Sequence, residues 1–145
     1  MTRPGEASVG GHGPPDDVAR VLAANAAFYE AFEQCDFDAM SDAWERGDRA
    51  QCTHPGWPTL RGWGAIASSW VTLLSNSERL QFILTNVVAV VHGDVGWVTC
   101  DENILAGPAS STVAAINVFV RDDFSPEVWR LVSHHGSVVH ASLTG

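Results

Sequence analysis

Residues 54–70 read His54-Pro55-Gly56-Trp57-Pro58-Thr59-Leu60-Arg61-Gly62-Trp63-Gly64-Ala65-Ile66-Ala67-Ser68-Ser69-Trp70. Three tryptophans and a histidine stand here among glycines and prolines. A plain helix or strand does not need so many breaks in the backbone. So much aromatic surface in one short segment predicts a shaped wall of a cavity. Working outward, Gly62 to Ser75 carries Ile66, Trp70, Leu73 and Leu74 at helical spacing and predicts a helix with one buried face.

Upstream, Pro14-Pro15-Asp16-Asp17 is a helix start, with acidic residues in the first turn. Val18, Val21, Leu22, Ala26, Tyr29 and Phe32 then recur on one face through about Gln34. Asp36 caps a second, shorter helix whose inner side is Phe37, Met40 and Trp44. Ala50 to Thr53 reads as a short strand. After Ser77 the pattern changes to β-branched runs separated by turn residues: Gln81 to Val91, Val95 to Leu105, Thr112 to Val120 and Val128 to Val139. Helices followed by an antiparallel meander make an α+β domain over residues 16–142, behind a flexible tail at 1–15. In Thr112 to Val120 both parities are apolar, so one face covers the helices and the other meets a second subunit; a closed barrel is the alternative.

At 145 residues the chain is one domain with a real core. No apolar run approaches the roughly 20 residues needed to cross a bilayer, and Met1 to Pro15 has no apolar segment of the secretory kind. A cytoplasmic protein with no membrane partner is expected. The formal charge of −9, with no basic stripe, argues against nucleic acid. All eight basic residues are arginines, which excludes lysine Schiff-base chemistry. Cys35, Cys52 and Cys100 are odd in number and widely spaced, as expected of reduced, buried thiols.

The candidate chemistry lies in the strands. Asp101 and Glu102 are adjacent, so one carboxylate points toward each face of the sheet. Glu102 shares its parity with Val98, Cys100 and Ile104; Asp101 shares its own with Trp97, Thr99 and Asn103. An inward carboxylate is either a general base with a pKa raised by burial or a structural partner of Arg61 or Arg130. In the last strand, Trp129, Leu131, Ser133 and His135 share one parity, which places His135 inward, within reach of that carboxylate, and His134 outward. Diverging in this way, the two imidazoles cannot readily chelate one metal, and no metal site is expected. His54 either lines the cavity or anchors its own loop. Tyr29, Trp57, Trp70 and Asn117 complete the candidate ligand contacts, with Trp70 also suited to the core. Phosphate-binding glycine loops, the serine-hydrolase elbow and the zinc-protease motif are all absent.

The order helix, short helix, His-Pro-Gly-Trp loop, Ser-Trp helix and four strands ending in Trp-Arg-Leu-Val-Ser-His-His resembles the nuclear transport factor 2-like superfamily, and within it the SnoaL-like group. The residues that carry the resemblance are Asn25, Phe28, Tyr29, Phe32, Met40, Trp44, His54 to Trp57, Gly62, Ser69, Trp70, Trp129, His134 and His135, within Val18 to about Ser142. The resemblance implies a cone: a curved antiparallel sheet wrapped around N-terminal helices, enclosing an apolar pocket and commonly dimeric. It also implies enzymes that move protons with an inward Asp, Glu or His. The expected function is binding of a small, mainly apolar molecule, with cofactor-independent isomerase, cyclase or dehydratase chemistry. Glu102 or Asp101 would be the base, and His135 or Tyr29 would stabilise the oxyanion. A non-catalytic ligand-sensing or dimerisation module is the alternative.

Overall fold

The computed structural model describes residues 9–75 and 78–140. The first helix, α1 (Pro15–Glu33), begins where Pro15 has no need of its missing N–H and Asp16 and Asp17 face the positive helix end. Its buried stripe, Val21, Asn25, Phe28 and Tyr29, follows the helical repeat. Cys35 takes a positive φ of 52° just past the end, and Asp36 starts α2 (Phe37–Ala43) by accepting from the Ala39 N–H at 3.1 Å. Trp44 follows, fully buried, and Glu45 N–H bonds to the Leu131 carbonyl at 2.9 Å, fixing this corner to the last strand. The third helix, α3 (Trp63–Leu74), buries Ile66, Ser69, Trp70 and Leu74.

Four long strands form the meander: β4 (Gln81–His92), β5 (Val95–Ala106), β6 (Ala109–Arg121) and β7 (Trp129–Val138). Three short ones extend it: β1 (Val9–His12), β2 (Gln51–Thr53) and β3 (Leu60–Arg61). The sheet is open, in the order β1-β4-β5-β6-β7-β2-β3. The expected antiparallel meander is therefore the centre of a mixed sheet, because β1 runs parallel to β4 and β2 parallel to β7.

The part of the expected tail from Val9 to His12 is a strand; the rest of the tail up to residue 8 lies outside the described residues. Gly10 and Gly11 hide this strand from sequence periodicity, yet they permit it. A Cβ on Gly11 would stand 2.5 Å from Val18 Cγ1, so only glycine lets the strand lie this close to α1.

Two irregularities curve the sheet. Between Thr85 and Val88 the pairing of β4 with β5 shifts, and Asn86 there has a φ of 53°. Between β6 and β7, Val118 faces Ser133 while Phe119 faces Leu131, which leaves Val132 as an extra residue. Such bulges bend a strand and exchange its faces. The helices lie on the inner face, where Phe28, Phe32, Trp44, Trp70 and Phe82 pack edge to face or tilted, with ring centroids 4.7–6.4 Å apart. Among the described residues no helix is long and apolar enough to cross a membrane.

Candidate active site

The bulge in β7 decides which histidine enters the protein. Trp129 and Leu131 are buried, as expected, but beyond Val132 the parity reverses: His134 and Gly136 are buried and His135 is exposed. The expectation of an inward His135 paired with Glu102 is thus corrected, since the two lie on opposite faces of the sheet. Neither Val132 nor Ser133 is a turn-former, so the inserted residue left one hint only: apolar residues on both parities at Leu131 and Val132.

β5 keeps strict alternation, and Glu102 points inward with Val98 and Cys100, 3% exposed. Asp101 points outward and accepts from the Asn86 amide at 2.7 Å, so it belongs to the other surface. Arg130 is engaged by Asp122, and among the described residues no arginine pairs with Glu102. Its partner is instead Tyr29, whose hydroxyl donates to Oε2 at 2.5 Å.

From there a buried polar chain crosses the core. Asn117 Nδ2 donates to Tyr29 Oη at 3.0 Å and to Asn25 Oδ1 at 2.9 Å. Asn117 Oδ1 lies 2.5 Å from His134 Nδ1. Asn117 and His134 are opposite each other in the β6–β7 register, which is why their side chains meet. These groups are at most 3% exposed, so each would be costly without a partner.

His54 approaches from the other side. Its Nε2 bonds Ser69 Oγ at 2.9 Å, and the Ser69 hydroxyl donates to the Ile66 carbonyl at 2.7 Å. His54 therefore anchors the His-Pro-Gly-Trp loop to α3 as well as facing the cavity. Trp57 N–H closes that loop on the His54 carbonyl at 2.8 Å, and Gly56 supplies its positive φ of 82°.

A cavity of about 190 Å³ lies between α1, α3 and the inner sheet face. Phe32, Leu73, Leu80, Phe82 and Ile104 form its apolar wall; Glu102, His54 and His134 form its polar end, beside Pro55 and Trp57. Tyr29 and Asn117 are not in the lining but stand behind Glu102 and His134 and hold them. Trp70 is a core residue, edge-on to Phe28 and Phe32, with no place in the cavity wall. Trp57, 39% exposed, stands at the opening.

A wider depression of about 460 Å³ lies on the outer face around Ala114 and Ile116, where Asp101 and His135 are found. It is larger, but the buried acid–base groups are not there, so the inner cavity is the candidate site.

Burial sets the protonation states of this site. It pushes the Glu102 carboxyl up to about 7, against a smaller downward pull from the Tyr29 hydrogen bond. It pushes His54 down to about 4 and His134 down to about 3, the latter helped by its neighbours His54 and His135. Tyr29 is raised well above the usual phenol range by burial and then by Glu102, which keeps it a donor. Cys52 and Cys100, buried and free, are pushed up to about 12 and about 11, so neither is an activated nucleophile. The site thus holds two neutral imidazoles and one carboxyl poised near neutrality, a set suited to proton transfer.

The profile of the SnoaL-like domain matches residues 21–141. Among solved structures, a candidate dehydratase of the NTF2-like family from Streptomyces avermitilis is 40% identical, with a TM-score of 0.80; the match covers 89% of this chain and 100% of that one. A candidate calcium/calmodulin-dependent protein kinase type II association domain from Thiobacillus denitrificans is 31% identical over 82% of this chain and 94% of its own, with a TM-score of 0.70. A candidate ketosteroid isomerase from Shewanella frigidimarina shares the fold at 12% identity and a TM-score of 0.70, over 81% of this chain and 94% of that one. No curated protein matches the chain.

Proposed function

The chain belongs to the SnoaL-like family, and from that premise we propose that its inner cavity binds a small, mainly apolar carbonyl compound and catalyses cofactor-independent proton transfer, dehydration in the first place. The observation that carries this reading is Glu102: a buried carboxyl with no arginine partner among the described residues, bonded to Tyr29 and raised to about 7 at the polar end of an apolar cavity. A group with that midpoint can take a proton from the carbon beside a carbonyl and return it within one turnover. In a dehydration the proton goes to the departing hydroxyl, so water and an unsaturated carbonyl compound leave the site. Isomerisation differs only in returning the proton to another carbon. The 40% identity to the Streptomyces candidate dehydratase favours the first.

The ligand is neutral. Among the cavity lining there is no arginine to pair with a carboxylate or phosphate, and Glu102 repels one when ionised. The test is turnover of a panel of small 3-hydroxy ketones by wild-type protein and by Glu102→Gln, which preserves shape and removes the titrating group. A loss of about 10²–10⁴-fold is expected. Turnover at the wild-type rate in the variant would overturn the assignment.

The outer sheet face favours a second, compatible element of function, a homodimer. Ile83 (49% exposed) and Ile116 (39%) place exposed apolar side chains on it, beside Ala114 and among polar neighbours such as Asp101 and His135. The likeness to an association domain supports assembly through this fold. A dimerisation or ligand-sensing module without catalysis would keep this surface and leave Glu102→Gln without effect on any turnover.

A further inference from the structure

We propose that His134 receives a hydrogen bond from a hydroxyl group of the ligand, through a lone pair on Nε2 that Asn117 keeps open. The inference rests on the reading of the inner cavity as the ligand site and narrows its substrate class to hydroxylated compounds.

The assignment follows from counting hydrogens around Asn117. With Glu102 ionised, the Tyr29 hydroxyl hydrogen lies on Glu102, so Tyr29 Oη accepts. Its donor is Asn117 Nδ2, whose second hydrogen goes to Asn25 Oδ1. The remaining Asn117 atom, Oδ1, can only accept, and what it meets is His134 Nδ1. The hydrogen of the neutral imidazole is therefore on Nδ1, and Nε2 carries a bare lone pair. Among the described residues no protein group bonds to that Nε2, while His134 lines the cavity. Burial keeps the ring unprotonated at neutral pH, so it serves as an acceptor and is a poor store for a proton.

His54 has the reverse arrangement. Since Ser69 gives its hydrogen to Ile66, Ser69 Oγ accepts from His54 Nε2–H, and that hydrogen is spent on the protein. The polar end of the cavity thus presents His134 Nε2 and Glu102, both acceptors when Glu102 is ionised, against a wall of hydrocarbon. A ligand that seats there must bring the hydrogen. An alcohol does; a simple ketone or hydrocarbon of the same shape does not. This is a preference that dehydration requires of its substrate and isomerisation does not.

The experiment has two arms. Nitrogen NMR of labelled protein at about pH 8, above the Glu102 midpoint, reads the His134 tautomer directly. The expected result is a protonated Nδ1 and a bare Nε2 in the wild type, kept in Asn117→Asp, whose carboxylate also accepts, and lost in Asn117→Leu. The second arm titrates three probes of one shape, indanol, indanone and indane. Indanol is expected to bind about tenfold tighter than the other two. The His134 Nε2 signal should shift with indanol alone, and the preference should vanish in His134→Phe. A hydrogen on Nε2 in the wild type overturns the proposal, and so does equal binding of the three probes with the cavity occupied. Failure of all three to bind overturns it together with the reading of the cavity beneath it. The first two results leave the role of Glu102 standing, and the turnover of Glu102→Gln decides it.

Discussion

The phenol of Tyr29 on α1 and the carboxyl of Glu102 on β5 are joined across the core by a 2.5 Å hydrogen bond. The bond stabilises the ionised form of Glu102 and so opposes burial, which favours the neutral one. In wild-type protein kcat/KM should rise with pH through a midpoint near 7, as Glu102 ionises. In Tyr29→Phe the downward pull is gone and the midpoint should move upward. A pH–rate profile of the two proteins on one hydroxy ketone checks this; an unmoved or lowered midpoint would remove Glu102 as the titrating group.

The two buried imidazoles make stability depend on pH. His54 and His134 are held at about 4 and about 3, against an ordinary 6.5, and Glu102 is held at about 7 against 4.5. Between about pH 4.5 and 6.5, unfolding therefore takes up two protons on the histidines and releases one from Glu102. The net uptake of one means stability falls on acidification by about 1.4 kcal/mol per pH unit from these groups. His134→Gln removes one uptake and should flatten that part of the curve to nearly zero. Urea midpoints for both proteins across the window read the difference.

Gly136 on β7 is where the last strand passes Pro55. A Cβ there would stand 2.9 Å from Val113 Cγ1 and 3.2 Å from Pro55 Cγ. Gly136→Ala should cost about 1–3 kcal/mol, because Val113 is buried and Pro55 is a rigid ring, so neither yields easily. Gly64→Ala in α3, with nothing within 4 Å of the new methyl, should instead gain up to about 1 kcal/mol. Thermal melting of the pair gives opposite signs if the packing is as described.

The outer sheet face predicts a change of mass. Ile116→Glu replaces an exposed apolar side chain of that face with a charge, beside Asp101, without touching the cavity. Sedimentation at micromolar concentration should show two chains in the wild type and one in the variant, with probe binding unchanged. A wild-type protein sedimenting as one chain would end the dimer proposal.

Much of this molecule was legible in its residues. α1 to α3 and β4 to β7 follow from apolar periodicity and turn chemistry, and Glu102 points inward because β5 alternates without interruption. β1 and β3 were hidden for a physical reason. Each is short and takes its order from a neighbour, β1 from the edge of β4 and β3 from β2. His135 was expected inward because the one hint, apolar residues on both parities at Leu131 and Val132, does not fix a bulge, which is settled by strand pairing and not by local propensity. Asn86, by contrast, could have been suspected, because asparagine is a residue that tolerates positive φ.

The extra residue in β7 has one more consequence. With Val132 looped out, His134 faces Asn117 and His135 faces Ile116. Draw Val132 into the ladder opposite Val118, with no residue removed, and every residue after it slips by one. Ser133 then stands across from Asn117, and the inward imidazole, now His135, lies opposite Ala115. Not one residue type in the cavity has changed, yet the hydrogen-bonded pair that sets the polar end is gone. The chemistry here is written in the pairing of a strand segment, and related chains are best compared by which residue of the last strand stands across from Asn117, before the identity of any residue in between.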